Sequence, residues 1–201
     1  MSVKIAESAD VSASASIGDG SAVWHLAQVR EGAVLGEHCI IGRGAYIGTG
    51  VRLGDNCKIQ NYALVYEPAI LGDGVFIGPA AVLTNDTHPR AVNPSGTLKT
   101  ADDWKAVGVR IGDGASVGAR AVCVAPVEIG DWAMIAAGSV VTRDVPPHAL
   151  VMGVPARQVG WVSRRGVRLE RDSESTFRCP VSHETYEVRN GTLKMMEQDD
   201  D

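Results

Sequence analysis

The sequence predicts an all-β protein: a left-handed parallel β-helix of six-residue repeats, with one inserted loop and a short C-terminal extension. Three observations predict it. Stepping by six from Val11 through Ile17, Val23, Val29, Leu35, Ile41, Ile47, Leu53, Ile59, Val65, Leu71 and Ile77 to Leu83 meets an aliphatic residue at all 13 positions. A second run in the same period gives Ile111, Val117, Cys123, Ile129, Ile135 and Val141. Aromatic residues are only 5% of the chain while apolar residues are 45%, so the core must be built from small aliphatic side chains. An amphipathic helix repeats at 3.6 residues and a half-buried strand at 2, so neither explains a period of six.

Each hexad then supplies one short strand and one corner, and three hexads close a triangular coil of 18 residues. The aliphatic residue points inward, and coils stack about 4.8 Å apart. Gly follows the aliphatic residue in ten of the 19 hexads, and a mostly small residue stands four after it (Ala15, Ser21, Ala27, Ala33, Cys39, Ala45). That [LIV]-G-x-x-[STAV]-x form is the left-handed version, an exception to the usual crossover hand. Cys39 and Cys57 occupy small-residue stacking positions and Cys123 an aliphatic one, so all three read as packing residues.

Element by element, residues 1–158 form the β-helix, broken by a loop at about 84–110. The break is TNDTHPRAVNPSGTLKTADDWKAVGV, and a long excursion from a regular solenoid is more often a functional loop than a linker. The period ends after Val141 at two prolines, Pro146 and Pro147. Residues 159–201 form the extension. Val159 to Leu169 reads as a short helix or an extended cap, and TFRCPVSHETYEVRNGTLKM as a β-hairpin with Asn190-Gly191 as its tight turn. Glu197 to Asp201 is an acidic, solvated end.

Net charge is −5, with no basic run, which argues against nucleic-acid and acidic-membrane partners. No apolar run of about 18 residues exists, and the N-terminus has no apolar signal core. The four cysteines lack CxxC spacing; Cys179-Pro180 with His183 is half a zinc site without its other half. No metal is expected, and the location expected is a reducing cytoplasm.

Stacked into columns of 18, the chain shows where the repeat is broken. Trp24 and Gln60 replace Gly in one corner column, and Ser12, Arg30, Tyr66 and Thr84 in another, whereas Gly18, Gly36, Gly54 and Gly72 keep the third. Large polar and aromatic residues thus concentrate on two edges beside the loop. His25 and Asn61 share a column next to Trp24 and Gln60; His25 either orients substrate or stacks on Trp24. His88, two residues from Asp86, is a candidate general base or an idle loop residue. His38 and His148 fall in turns and read as surface residues.

The segments WHLAQVREGA (24–33), KIQNYALVYE (58–67), LTNDTHPRA (83–91), GASVGARAVCVAPVEIG (114–130) and AAGSVVTRDVPPHALVMGVPARQVGW (136–161) resemble the left-handed β-helix acyltransferases. Within these, they are most similar to the branch that acetylates the 3-amine of UDP-2-acetamido-3-amino-2,3-dideoxyglucuronate for bacterial surface polysaccharides. The likeness covers residues 8 to 165, and the tail CPVSHETYEVRNG is similar too. The resemblance implies a homotrimer with acetyl-CoA between subunits. It implies that Asn85 sits beside the reactive amine, a positioning and catalytic role, and that Tyr66 and Glu67 lie next to it. It implies that His25, Arg30, Glu31, Gln60 and Asn61 line the sugar and nucleotide pocket, with Arg90 for a carboxylate or diphosphate. Coenzyme A would follow Gly118, Ala119, Ala136, Ala137 and Gly138, with Arg143, Pro155, Ala156 and Arg157 at its adenine end. Gln28, Asp86 and His88 depart from the branch, leaving open whether the sugar carries UDP or dTDP and which carbon bears the amine.

Rival readings are weaker. A metal-dependent hydratase of the γ-carbonic-anhydrase type needs three histidines, two of them five apart, and no such pair exists here. A sugar or serine O-acetyltransferase would need His88 or His25 as base. A non-enzymatic assembly module would not need the loop and the polar edges.

Overall fold

The hexads close into three parallel sheets, and in the computed structural model, which describes residues 2–189 and 191–196, these form the faces of a triangular solenoid consistent with the left-handed β-helix. Face one starts at Lys4–Ile5 and repeats at Ala22–Val23, Ile40–Ile41 and Lys58–Ile59. Face two starts at Asp10–Val11 and face three at Ser16–Ile17. The first strand lies one hexad before Val11, where the sequence count began. Ile5 keeps the period but is 51% exposed, in the first coil of the described residues.

Strands are two or three residues long because each coil must turn three times. The inward residue of each pair is buried: Val29, Ile41, Ile47, Ile59, Val65, Ile77 and Leu83 are 0–2% exposed and stack in one axial core. Cys39, Cys57 and Cys123 lie in that core, and burial pushes the Cys123 thiol up to about 12.

Glycine serves two separate purposes here. The one after the aliphatic residue permits coil-to-coil approach: a side chain at Gly18, Gly78 or Gly118 would collide with the backbone of the next coil. Another, three residues after the aliphatic one, takes the left-handed conformation that turns the chain, as at Gly20, Gly32 and Gly44. Leu26, His38, Tyr62, Arg120, Trp132 and His148 hold the same corner position at φ of 56–61°, paying a strain that only glycine escapes.

A ladder of acids locks the third corner. The backbone N–H groups of Glu37, Asp55, Asp73 and Asp113 donate to the carboxylates of Asp55, Asp73, Asp113 and Asp131, at 2.7–3.0 Å. The 84–110 insertion leaves the register untouched, for Leu71 pairs with Ile111 as Leu53 pairs with Leu71. The loop is therefore an outgrowth of one corner.

The region after the prolines departs from expectation. Residues 156–161 form a strand antiparallel to Ala149–Gly153, and the tight hairpin after it replaces the helix considered for 159–169; the extended-cap alternative is the one found. The hairpin expected at 176–195 is part of a four-stranded antiparallel sheet that also recruits Glu170–Arg171. Leu169, Phe177, Cys179, Tyr186 and Leu193 make its small core, and Trp161 packs against both cores. Asn190 and the acidic end 197–201 lie outside the described residues, while Gly191 takes φ 74°. His148 is not on the surface but only 7% exposed. It occupies the last left-handed corner, where the extension covers it, its Nδ1 donating to the Val162 carbonyl at 3.0 Å and its ring edge-on to Tyr186. Among the described residues no helix is long and apolar enough to cross a membrane.

Candidate functional site

The corner between faces two and three carries the loop. Its successive coils present Arg30, Tyr66 and Thr84 in one column and Glu31, Thr49, Glu67 and Asn85 in the next. The loop leaves at Asn85 and returns at Val107, whose N–H donates to the Asn85 carbonyl at 3.0 Å; Gly108 then stacks on Pro68. Two turns of chain thus converge where the sequence breaks its repeat.

Side chains at this column position normally have a structural duty. At the third corner the Asp carboxylates accept a backbone N–H from the coil before, and at the first corner Asn61 does the same, accepting from Arg43 at 2.9 Å. Glu67 and Asn85 are exempt. The Glu67 carboxylate folds against Gly48, yet its buried Oε2 has no hydrogen-bond partner, and the Asn85 amide has none among the described residues. A carboxylate one methylene longer than aspartate overshoots the backbone donor. Two hydrogen-bonding groups are left uncommitted on adjoining coils at the base of a loop.

The surroundings are aromatic and charged. Tyr46 and Tyr66 meet at 5.2 Å between ring centres, tilted 47°. Burial, reinforced by the Glu67 carboxylate, raises the Tyr46 phenol above its ordinary pKa. Arg30 is held by Asp10 at 3.3 Å and Glu31 at 3.0 Å, so Arg30 and Glu31 are brought together but spend their charge on each other. Tyr46 was missed by sequence reasoning, since it stands at an outward strand position where any residue fits the repeat.

The other candidates lie elsewhere. His25, Gln60 and Asn61 sit at the corner between faces one and two, where they line a concavity of about 280 Å³ with Trp24, Ile40, Gly42 and Arg43. His25 Nδ1 is 2.9 Å from Ser8 Oγ. No hydrogen bond, ion pair or ring contact among the described residues joins this set to the Glu67–Asn85 corner; face two separates them. Arg90 and His88 are exposed on the loop: the Arg90 guanidinium donates to the Pro89 carbonyl, His88 Nδ1 pairs with Thr87 Oγ1, and the His88 N–H donates to Asp86.

Gly118, Ala119, Ala136, Ala137 and Gly138 continue the first corner upward, forming a low ridge. Gly118 owes its missing side chain to the Ala137 backbone above it, and Gly138 has open space and φ 70°. Arg143, Ala156 and Arg157 line a recess of about 150 Å³ near the top, with exposed Pro155 beside it. The broadest of these hollows, about 620 Å³, lies on face three among Arg110, Glu128 and Asp131; no candidate residue lines it, but it shares Asp144, Val145 and Pro146 with the recess at Arg143. No group of three metal-ligating side chains occurs among the described residues; Cys179 Sγ instead meets Ser163 and the Ser182 N–H.

The repeat itself decides the relationship. Residues 14–49 and 50–85 match the bacterial transferase hexapeptide family (six repeats), and residues 108–143 match the hexapeptide repeat of succinyl-transferase. The chain belongs to the hexapeptide-repeat transferases. Bifunctional protein GlmU of Thermotoga petrophila is 36% identical over 152 residues, covering 74% of this chain and 30% of that protein. The acetyltransferase domain of PglB from Neisseria gonorrhoeae, in complex with acetyl coenzyme A, superposes with a TM-score of 0.51 at 26% identity, covering 79% of this chain and 58% of that one. A mutant of GDP-perosamine N-acetyl transferase from Caulobacter crescentus, bound to CoA and GDP-perosamine, gives a TM-score of 0.50 at 27% identity over the same shares. The chain spans about a fifth to three tenths of the length of the curated relatives it matches.

Proposed function

We propose that the protein is an acetyl-CoA-dependent N-acetyltransferase acting on the amino group of a nucleotide-linked amino sugar. The specific acceptor proposed is UDP-2-acetamido-3-amino-2,3-dideoxyglucuronate, made in the cytoplasm for bacterial surface polysaccharide. The observation that carries the reading is the pair Glu67 and Asn85, uncommitted where equivalent side chains are consumed by backbone. Solved relatives that hold acetyl coenzyme A, or CoA with GDP-perosamine, support it.

The chemistry is attack of a neutral amine on a thioester. The amine nitrogen bonds to the carbonyl carbon, the C–S bond breaks, and the departing thiolate takes the amine proton. Asn85 Oδ1 accepts one amine hydrogen and aims the lone pair, a positioning effect. Glu67 accepts the other. Backbone N–H groups at a corner can hold the developing oxyanion. Neither His25, tied to Ser8, nor His88, tied to Thr87, is required. The split of the candidates between two corners is resolved in a homotrimer, where the first corner of one copy faces the loop corner of the next, with coenzyme A along the ridge from Gly118 to Gly138.

A thiol-release assay with acetyl-CoA tests this, run against the UDP sugar and dTDP-3-amino sugars. Turnover with an amino sugar, lost in Asn85→Ala, is expected. Acetyl-CoA binding without thiol release on any amine would shift the reading to an O-acetyltransferase, and no acetyl-CoA binding to an assembly module.

A further inference from the structure

The C-terminal extension meets the solenoid at one fixed turn. Ser163 to Gly166 form the tip of the hairpin closed by the Val162–Arg168 bridge. Ser163 organises the tip: its N–H donates to the Val167 carbonyl at 2.9 Å, its carbonyl accepts the Gly166 N–H at 2.8 Å, and its Oγ accepts the Arg165 N–H at 3.3 Å. The Tyr186 hydroxyl accepts the Arg164 N–H at 3.4 Å, so the small core of the extension holds the turn as well. Between this tip and the third corner is a hollow of about 170 Å³. Ser116, Trp132 and Met134 line it from the solenoid, and Ser163, Arg164 and Arg165 from the turn.

The two arginines differ in what they hold. Arg164 is a latch, its guanidinium over the Trp132 ring at 5.4 Å. Arg165 pairs with no carboxylate among the described residues, and its one hydrogen bond there is through the backbone. Other guanidiniums of the extension are spent: Arg168 donates to the Val159 carbonyl, Arg171 lies over Phe177, and Arg189 pairs with Glu187. The neighbouring acids are engaged too. Glu184 accepts the Ser182 and Tyr186 hydroxyls at 2.7 and 3.1 Å, which together with the two arginine charges hold its carboxyl below the usual range. Asp113 and Asp131 accept backbone N–H groups. Two successive guanidiniums on a rigid turn therefore line one small hollow, in a chain whose net charge is −5. Planar forks carrying two positive charges suit a doubly charged phosphoryl group better than a carboxylate.

We propose that this hollow is an effector site for the phosphoryl group of a small phosphomonoester, gripped by Arg164 and Arg165, and that its occupancy clamps the extension onto the solenoid. Its volume is well below the roughly 300–1,000 Å³ of whole-ligand sites, so the phosphoryl group enters and the rest of the molecule stays outside. The site belongs to the third corner, whereas the proposed coenzyme ridge follows the first and the loop leaves the second. It stands whether or not the chain acetylates an amine.

Calorimetric titration of the full chain with glucose 1-phosphate, inorganic phosphate, acetate and acetyl-CoA tests it, with hydrogen exchange read at residues 163–167. Glucose 1-phosphate and phosphate should bind alike and acetate much more weakly. Arg165→Gln should weaken both phosphates about tenfold while melting temperature and acetyl-CoA affinity hold, because Arg165 bears no part of the latch. Arg165→Lys, which keeps charge but not the fork, should recover part of the loss. Either phosphate should slow exchange at 163–167 in wild type and not in Arg165→Gln. No phosphate binding by wild type, unaltered affinity in Arg165→Gln, or acetate binding as well as phosphate overturns the proposal. Rejection of glucose 1-phosphate would give the site to free phosphate and overturn the effector assigned. A parallel loss of acetyl-CoA affinity would give it to the coenzyme, and unchanged exchange on binding would refute the clamp.

Discussion

The Asn61 side chain accepts the Arg43 backbone N–H at 2.9 Å, tying one coil to the next. Asn85, at the matching place on the adjoining corner, makes no such bond. Two asparagines in equivalent settings therefore make different bonds, and substitution tests whether they have different duties. Asn61→Ala should cost about 1 kcal/mol of stability by leaving a backbone donor unmet. Asn85→Ala should leave the melting temperature unchanged and lower kcat by about 100-fold. Denaturant melts and acetyl-transfer rates on both variants check this, and a swapped pattern would refute the assignment.

The loop should be dispensable for folding. Register across it is continuous, Leu71 to Ile111, and its ends are pinned at Asn85 and Val107. Replacing residues 87–105 with a short Gly/Ser linker should shift the melting temperature by no more than about 3 °C, because shortening a loop lowers its closure cost. Acetyl transfer should be abolished. Failure of the shortened protein to fold would show the loop to be a structural brace.

The two classes of corner glycine should respond differently. Gly32 has φ 65° and nothing within 4 Å of an added side chain, so Gly32→Ala should cost about 1 kcal/mol of left-handed strain. Gly114 has the same φ, but the Trp132 ring lies on it, and Trp132 is in turn covered by the Arg164 guanidinium at 5.4 Å. Gly114→Ala should therefore cost roughly 2–3 kcal/mol and loosen the extension. Urea titration of the pair gives the comparison; equal losses would argue against the stacking.

His148 makes stability depend on pH. Burial lowers its pKa from the ordinary 6.5, the nearby Arg164 charge adds to this, and the Val162 hydrogen bond opposes it. The unfolded chain thus takes up the proton at about 6.5 while the folded chain resists to lower pH. Stability from this group is complete above 6.5, falls as pH drops below that, and is exhausted once pH passes the folded value. His148→Gln should flatten that decline in melting temperature between pH 6.5 and 5; an unchanged slope would place the acid sensitivity elsewhere.

The core ladder should be intolerant of holes. Ile59 is fully buried among aliphatic neighbours above and below, so Ile59→Ala should cost about 2–5 kcal/mol by unfolding calorimetry. A smaller loss would mean that adjacent coils collapse into the gap.

The period of six was sufficient to place almost every strand, since inward aliphatic residues and stacked corners are properties of spacing alone. It also located the broken edges, because a Trp24 or Tyr66 in a glycine column is visible without coordinates. The acid ladder of Asp55, Asp73, Asp113 and Asp131 was legible as repeated Gly-Asp pairs but went unread. His148 was misjudged because its burial comes from the extension, whose antiparallel pairing has no periodic signature.

By itself, then, the sequence determined the solenoid, its three corners, the loop and the family likeness, all of which follow from short-range repetition. Tertiary structure alone decided which polar side chains are spent on backbone and which stay free. Asn61 and Asn85 are the same residue type, and a one-dimensional pattern cannot tell whether a donor from the neighbouring coil reaches them. That depends on where the backbone N–H of the neighbouring coil falls relative to the side chain, which among the described residues meets Asn61 Oδ1 and leaves Glu67 Oε2 without a partner.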